Sequence, residues 1–434
     1  MIRKIFTGFF ISFCLIAQAQ FWTETSSGFP ANFTGLSKFH VVDVNVAWAI
    51  GYDGVNTANN IQQFSKTDDS GLTWTAGIFD LGDTTLGIAD LSGVDSNTAF
   101  VAAYPRQAGQ QGGIWKTIDA GVTWMQQTAA SFNNAASFPN IVHYFDANNG
   151  LAIGDPTNGY WEIYTSNNGG TTYSRVPSAS LPAPLNNETG YLSQFAHSGD
   201  SIWFTTSAGR IIHSANRGVT WSVYQSPLSD FGGNTIFGDI SFATANRGVI
   251  QDNAGNIFKT TDAGQTWNGV VFSGTGAPYG GAISYLPNTF VMVSTGGDVS
   301  FTGSSYSIDD GTTWINIDTD QHVDVAFFNN TVGYSGSFSN TANNLGVFRY
   351  TDTVLNEASV EEFVEVQLFH NNRREQLVIT TDQQFKNVRI YDLHGRLVLT
   401  SANKLTPTNL IPSGVYIAQI FTGSGLKTAK FIKY

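Results

Sequence analysis

Six short stretches of this chain each crowd a carboxylate or carboxamide, two hydroxyls and an aromatic ring into eight residues. They are "TDDSGLTW" from 67, "TIDAGVTW" from 117, "SNNGGTTY" from 166, "SANRGVTW" from 214, "TTDAGQTW" from 260 and "SIDDGTTW" from 307. The recurring positions are Asp69, Gly71 and Trp74; Asp119, Gly121 and Trp124; Asn168, Gly170 and Tyr173; Asn216, Gly218 and Trp221; Asp262, Gly264 and Trp267; and Asp309, Gly311 and Trp314. Such residues can do chemistry, because two carboxylates at a suitable separation suffice to cleave a glycosidic bond. They can also fasten a turn. Asp and Asn accept backbone N–H bonds, Gly supplies a positive φ, and a Trp packs between elements. The fastening role is the expected one, since spacing sets these stretches too far apart to converge on one substrate.

The acid or Asn positions lie 50, 49, 48, 46 and 47 residues apart. A period near 48 divides into four short strands with their turns, the pattern of propeller blades. One period reads "DISFATA", "VIQD", "IFKTTD" and "QTWNGVVFS", separated by Gly- and Asn-containing turns. After Asp309 the next equivalent segment, "VFRYTD", ends at Asp352, where "TVLNEAS" replaces the expected turn. Trp22, in "QFWTETSSGFP", is expected to supply the missing outer strand of that blade. The expected fold is therefore all-β: a seven-bladed β-propeller over 20–352, closed by N- and C-terminal strands, with six or eight blades as the alternatives.

The repeated stretch resembles the Asp-box, or BNR repeat (Ser/Thr-x-Asp-x-Gly-x-Thr-Trp), of sialidases, sortilin-type receptors, xyloglucan-hydrolysing propellers and photosystem II assembly-factor-like propellers. The third and fourth copies depart from it with Asn for Asp, and the third has Tyr173 for Trp. "LAIGDPTNGYWEIYTSNNGG" (151–170) resembles the last of these groups, whose propellers are binding or assembly modules. Sialidase chemistry needs three arginines gripping a carboxylate. Of Arg106, Arg175, Arg210, Arg217, Arg247 and Arg349, only Arg106 and Arg210 sit where they could serve, and the Phe/Tyr-Arg-Ile-Pro segment is missing.

With the boxes at the rim of one face, ligands are expected at the other. There the second-to-third-strand loops and blade-to-blade connections surround the axis. The charged groups expected at that mouth are Arg106 in "YPRQAGQQG" (104–112), Asp155 in "DPTNGY" (155–160), Glu188, Arg210 and Asp252. His40 and His143 share a register on their innermost strands, three before Asp43 and Asp146. Ser92, Ser241 and Ala326 stand there in other blades, so the two imidazoles read as packing near the channel and no metal is expected. No phosphate loop or Ser/Cys nucleophile motif appears, and no cofactor is implied.

Residues 1–19 read as a secretory signal peptide: Arg3 and Lys4, an apolar run too short to span a bilayer, then a cleavage site between Ala19 and Gln20. Cys14 is the one cysteine, so the mature chain is expected to fold without disulfides. Residues 20–365 carry 10 Lys and Arg against 30 Asp and Glu, whereas 366–434 carry 9 against 3. So acidic a body is a poor partner for nucleic acid. Residues 353–365 read as a linker. The strands that follow resemble the type A C-terminal sorting domain of the Bacteroidetes type IX secretion system. The resemblance rests on "VRIYDLHGRLV" (388–398), "LIPSGVYIAQI" (410–420) and "KTAKFIKY" (427–434), which hold Gly395, Gly414, Tyr416, Lys430 and Lys433. "HNN" (370–372) departs from the usual Pro-Asn-Pro. The resemblance implies a small β-sandwich over 366–434, recognised by the type IX machinery.

The expectation is an exported, monomeric propeller at the cell surface or outside it. It would bind a glycan, protein or polymer without catalysis, the alternative being a glycoside hydrolase acting on neutral polysaccharide.

Overall fold

Short β-branched and aromatic runs punctuated by Gly, Asn and Asp become antiparallel strands in the computed structural model. It describes residues 20–31, 34–56, 59–298, 301–338, 345–357, 366–372, 374–381, 385–422 and 425–434. The signal peptide, with Ala19, lies outside the described residues. The chain divides into two units, 1–358 and 359–434.

In the first unit each sequence period gives one meander. The first sheet is Thr34–Val41, Ala47–Asp53, Gln63–Thr67 and Thr75–Ile78. Sheets two to five begin with Gly87–Gly93, Pro139–Tyr144, Gly190–Ser198 and Gly238–Phe242, and each follows the same four-strand order. The sixth begins with Ala282–Tyr285 and gains a fifth strand, Ser273–Gly274, parallel to the strand Thr313–Asp318. The seventh takes Val325–Phe327, Gly333–Gly336 and Leu345–Tyr350 from the end of the unit and Trp22–Ser26 from its start. Trp22 faces Tyr350 in that last pairing. The innermost strand of each sheet lies against that of the next, and the seventh against the first.

The boxes are fasteners within and between sheets. Asp262 Oδ1 accepts the Thr266 N–H (2.9 Å) and the Thr260 hydroxyl (2.7 Å), while Oδ2 accepts the Thr266 hydroxyl (2.7 Å). Asn168 and Asn216 keep the Oδ1 bonds, and their Nδ2 donates to Thr172 and Thr220 instead. Hydrogen bonds from Thr123 hold the Asp119 carboxylate below its ordinary range, so this acid is ionised and committed to its turn. The turn needs two successive left-handed residues: Ala263 at φ 63° and Gly264 at φ 91°. Sequence reading assigned that conformation to the glycine alone. The carbonyl of the first left-handed residue accepts a donor from the preceding sheet: Lys116 to Gly169 (2.8 Å), Trp203 to Ala263 (2.8 Å), Lys259 to Asp310 (2.7 Å) and Arg349 to Ser70 (2.7 Å).

Each box turn also bonds the first-to-second-strand turn of its own sheet, as in Ser70 N–H to the Asn45 carbonyl (3.0 Å) and Ala263 N–H to Asn246 (2.9 Å). Both kinds of turn therefore share one face.

Asp352 has a role of its own. Its carboxylate caps Val354–Glu357, a single helical turn, through the Thr353 and Val354 N–H groups (2.6 and 3.1 Å). Leu355 is buried with Phe21, Trp22 and Tyr350. Residues 353–355 thus pack as part of the first unit, where the sequence suggested a linker from 353, and 358–365 lie outside the described residues.

The second unit is a pair of sheets. Val366–Asn371, Gln376–Thr381 and Leu405–Pro407 form one; Leu397–Ser401, Phe385–Asp392, Gly414–Thr422 and Gly425–Lys433 form the other. Their core holds Leu377, Ile379, Val388, Ile390, Tyr416, Ile420 and Phe431. Gly395 takes a positive φ of 78° in the turn after Asp392, and Gly414 begins the strand that carries Tyr416. Lys433 buries its ammonium on the Thr408 and Ile411 carbonyls (2.8 and 2.9 Å) beside Glu375 (3.3 Å). Lys430 lies on the same strand, opposite Ile417.

Candidate functional site

The structure joins two of the five charged residues expected at the mouth. Glu188 is 4% exposed, and Arg210 grips it with two nitrogens, Nε at 2.9 Å from Oε1 and a terminal nitrogen on Oε2. Thr206 (2.6 Å) and the Leu185 N–H (2.8 Å) complete its shell. Burial alone would raise this acid, but Arg210 and those hydrogen bonds overcome it and hold the carboxyl below its ordinary range. Asp155 lies inside the strand Gly150–Thr157, because Asn158 and Gly159, both at positive φ, make the whole turn. Its Oδ1 accepts Asn140 Nδ2 (2.7 Å) and the Gly190 N–H (2.8 Å), while burial raises its pKa above the ordinary carboxylate value. Asp252 caps its own loop through the Ala254 and Asn256 N–H groups (3.0 and 2.8 Å). Arg106 is exposed, its N–H bonded to Gln110 Oε1 (2.7 Å).

The remaining arginines of the first unit serve packing and cross-links. Arg217 bridges Asp146 and Asp200 (both 2.6 Å), Arg175 stacks over Tyr160 (4.2 Å), and Arg247 stacks over Phe290 (4.0 Å). No set of three converges on a carboxylate-sized space among the described residues.

A cavity of about 530 Å³ lies instead on the axis, at the end where the boxes are. Its lining runs along the innermost strands from Lys38, Asp239 and Asp324 to the first turns at Asp146, Gly199 and Phe328. Sequence reading directed attention to the other face. The acids here are structural first: Asp324 Oδ2 accepts the Phe39 N–H (2.9 Å) and Asp239 Oδ2 the Ile283 N–H (2.9 Å), each on the next sheet. Asp90 does the same for Val142 (3.0 Å) and also takes the Ser193 hydroxyl (2.6 Å). Burial pushes Asp90 up to about 7. Lys38 stands 3.9 Å from Asp324; burial would lower it, but Asp324, Asp239 and Asp90 raise it. The sequence carries a faint sign of this set in "ADLS", "GDIS" and "VDVA", one acid per apolar strand at a shared register.

Three histidines form one wall. His143 lies 6.0 Å from His40 and 4.3 Å from His197 between ring centroids, with Phe145 and Phe195 flanking it at 4.6 and 5.4 Å. His143 is 1% exposed and neither ring nitrogen has a hydrogen-bond partner. His197 is open to water within the cavity but enclosed by the fold. Burial lowers His40 to about 3 and His197 to about 4, and it holds His143 well below its usual value. Among the described residues, no group of three or more His, Cys, Asp or Glu is placed to hold a metal ion.

A folded pKa below the unfolded value of 6.5 makes His143 stabilising above pH 6.5. That contribution drains as pH falls below 6.5, at up to about 1.4 kcal/mol per pH unit. Asp90 runs the other way, losing its contribution as pH rises from its ordinary 3.8 toward about 7. The difference between the native protein and His143→Phe separates the two. In urea titrations, the stability of the native protein relative to the variant is expected to fall steadily between pH 6.5 and 5; a constant gap would show that His143 does not titrate with unfolding.

The comparisons with known proteins fall into two parts. The chain is similar to solved structures at the level of fold. YCF48 bound to D1 peptide matches with 15% identity, 77% of this chain and 98% of that chain covered, and a TM-score of 0.53. YCF48 from Cyanidioschyzon merolae matches with 15% identity, 76% and 98% covered, and a TM-score of 0.53. The GH74 enzyme of Niastella koreensis gives 15% identity, 91% and 65% covered, and a TM-score of 0.44. No curated protein matches the chain in sequence. Among the described residues no helix is long and apolar enough to cross a membrane. Residues 368–434 match the secretion system C-terminal sorting domain family. The chain thus couples an all-β, propeller-like body to a type IX sorting domain, which sends it to the cell surface or the extracellular space.

Proposed function

We propose that this is an exported seven-bladed propeller, closed by the Trp22–Ser26 strand, that binds a glycan, protein or polymer without catalysis. The order of contacts among innermost strands and the Arg349–Ser70 bond support the ring. We take 20–352 as its core, with the sorting domain over 366–434. One observation carries the binding reading. The carboxylates best placed for hydrolysis are each committed to holding structure. Glu188 is held by Arg210, Asp155 by Asn140 and Gly190, and Asp252 by its own turn. A general acid needs a proton to give, whereas Glu188 is held ionised. YCF48 was solved with a peptide bound, which makes the protein arm of the proposal concrete.

Incubation of the purified protein with neutral polysaccharides and with immobilised surface proteins tests it. Retention without release of reducing ends is expected. Release that disappears in Asp155→Asn, Glu188→Gln or Asp252→Asn would replace binding with hydrolysis.

A further inference from the structure

We propose that the axial cavity on the box face binds a protonated primary amine, as a lysine side chain presents, seating the ammonium on Asp239 and Asp324. The site lies at the opposite end from the loops that carry Asp155, Glu188 and Asp252, so it does not depend on them.

Charge makes the first argument. The floor holds two carboxylates, Asp239 and Asp324, against one ammonium, Lys38. Lys38 stops 3.9 Å from Asp324, farther than a hydrogen bond. Asp324 gives Oδ2 to one backbone N–H, and Asp239 gives Oδ2 to the Ile283 N–H and Oδ1 to the Ile240 N–H (2.9 Å); a carboxylate has about four acceptor positions, so capacity remains on both. Burial raises Asp239 against the pull of Lys38, so its ionised form gains from a further cation. An anion would meet the same two carboxylates and be repelled.

The wall makes the second. His143 is buried in the lining with both ring nitrogens unpartnered. A buried polar atom left without a partner is costly, and a guest that brings hydrogen-bond donors would repay a turn of this ring toward the cavity. The neutral ring offers one acceptor nitrogen, and an ammonium carries three donors. Phe145 and Phe195 beside His143 give an apolar surface for an alkyl stem. The volume, about 530 Å³, accommodates such a chain.

Calorimetric titration of the purified full chain with Nα-acetyl-lysine N-methylamide tests the proposal, with the norleucine and glutamate analogues as controls. Saturable binding of the lysine probe is expected, with norleucine about tenfold or more weaker and glutamate undetectable. Asp239→Asn keeps an oxygen for the Ile283 N–H and should weaken the lysine probe by about tenfold or more. In the unaltered protein, the imidazole NMR signals of His143 and His197 should shift on addition of the probe, which places the guest without any variant. Equal binding of lysine and norleucine, no effect of Asp239→Asn in a folded variant, or binding that leaves both histidines unmoved would each overturn it.

Discussion

Trp22→Ala is expected to lower stability by about 3–5 kcal/mol, the usual cost of removing a buried Trp. For a unit of this size that is a drop in thermal midpoint of about 4–7 °C. The side chain is 2% exposed and packs against Phe21 (4.9 Å), His322 (5.7 Å) and Phe327 (5.9 Å). Its indole N–H donates to Ser304 Oγ (3.0 Å), which belongs to the sixth sheet, while its own strand completes the seventh. One residue near the start of the chain thus ties together strands that arrive almost three hundred residues later. Loosening the strand Trp22–Ser26 would expose the edge of its partner, Leu345–Tyr350. Thr23→Ala is the control, since Thr23 is exposed and bonds only across the surface to Thr351. Its effect should stay within about 0.5 kcal/mol. Differential scanning calorimetry reads both. Equal, small effects would mean that the terminal strand is peripheral to stability.

The repeat was legible because each copy solves the same steric problem. Two left-handed residues, a carboxylate over three donors or a carboxamide over two donors and one hydroxyl acceptor, and a ring against the preceding sheet leave little freedom of sequence. The loss of the pattern after Asp352 was legible too, though not what replaces it, a helix cap that draws Leu355 into the core. The axial cavity was hidden for two reasons. Its acids come one to a strand, each inside an apolar run, and they gain meaning only when distant registers are superposed. His197 comes 54 residues after His143 (197 − 143), a longer step than any between boxes, and a bulge between Gly190 and Phe195, where Ser193 adopts φ 53°, interrupts its strand. A strict period passes over it. The Glu188–Arg210 pair was half legible: both residues were expected near the mouth, but nothing in a 22-residue separation says that they neutralise each other.

Removing 366–434 is expected to abolish export and leave the first unit folded in the periplasm. The sorting domain draws its core, from Leu377 to Phe431, entirely from its own residues. The first unit keeps its own clusters, among them the one that holds Trp22, Tyr350 and Leu355, all of which lie before the cut. Truncation therefore removes an address without opening a hydrophobic surface in the clusters of the first unit. Phe431→Asp makes the complementary variant. Phe431 is 5% exposed and stacks on Tyr416 (5.5 Å), so a carboxylate there places an unpaired charge in the domain core. It should reduce export nearly as far as truncation, because the machinery must recognise a folded surface and not merely a length of basic chain. Immunoblots of medium, surface and periplasmic fractions, with limited proteolysis of the retained form, separate the outcomes. Undiminished export of the truncated chain would remove the sorting role. Retention of a protease-sensitive body would show that the tail is needed for folding, and normal export of Phe431→Asp would move recognition from the folded domain to its linear sequence.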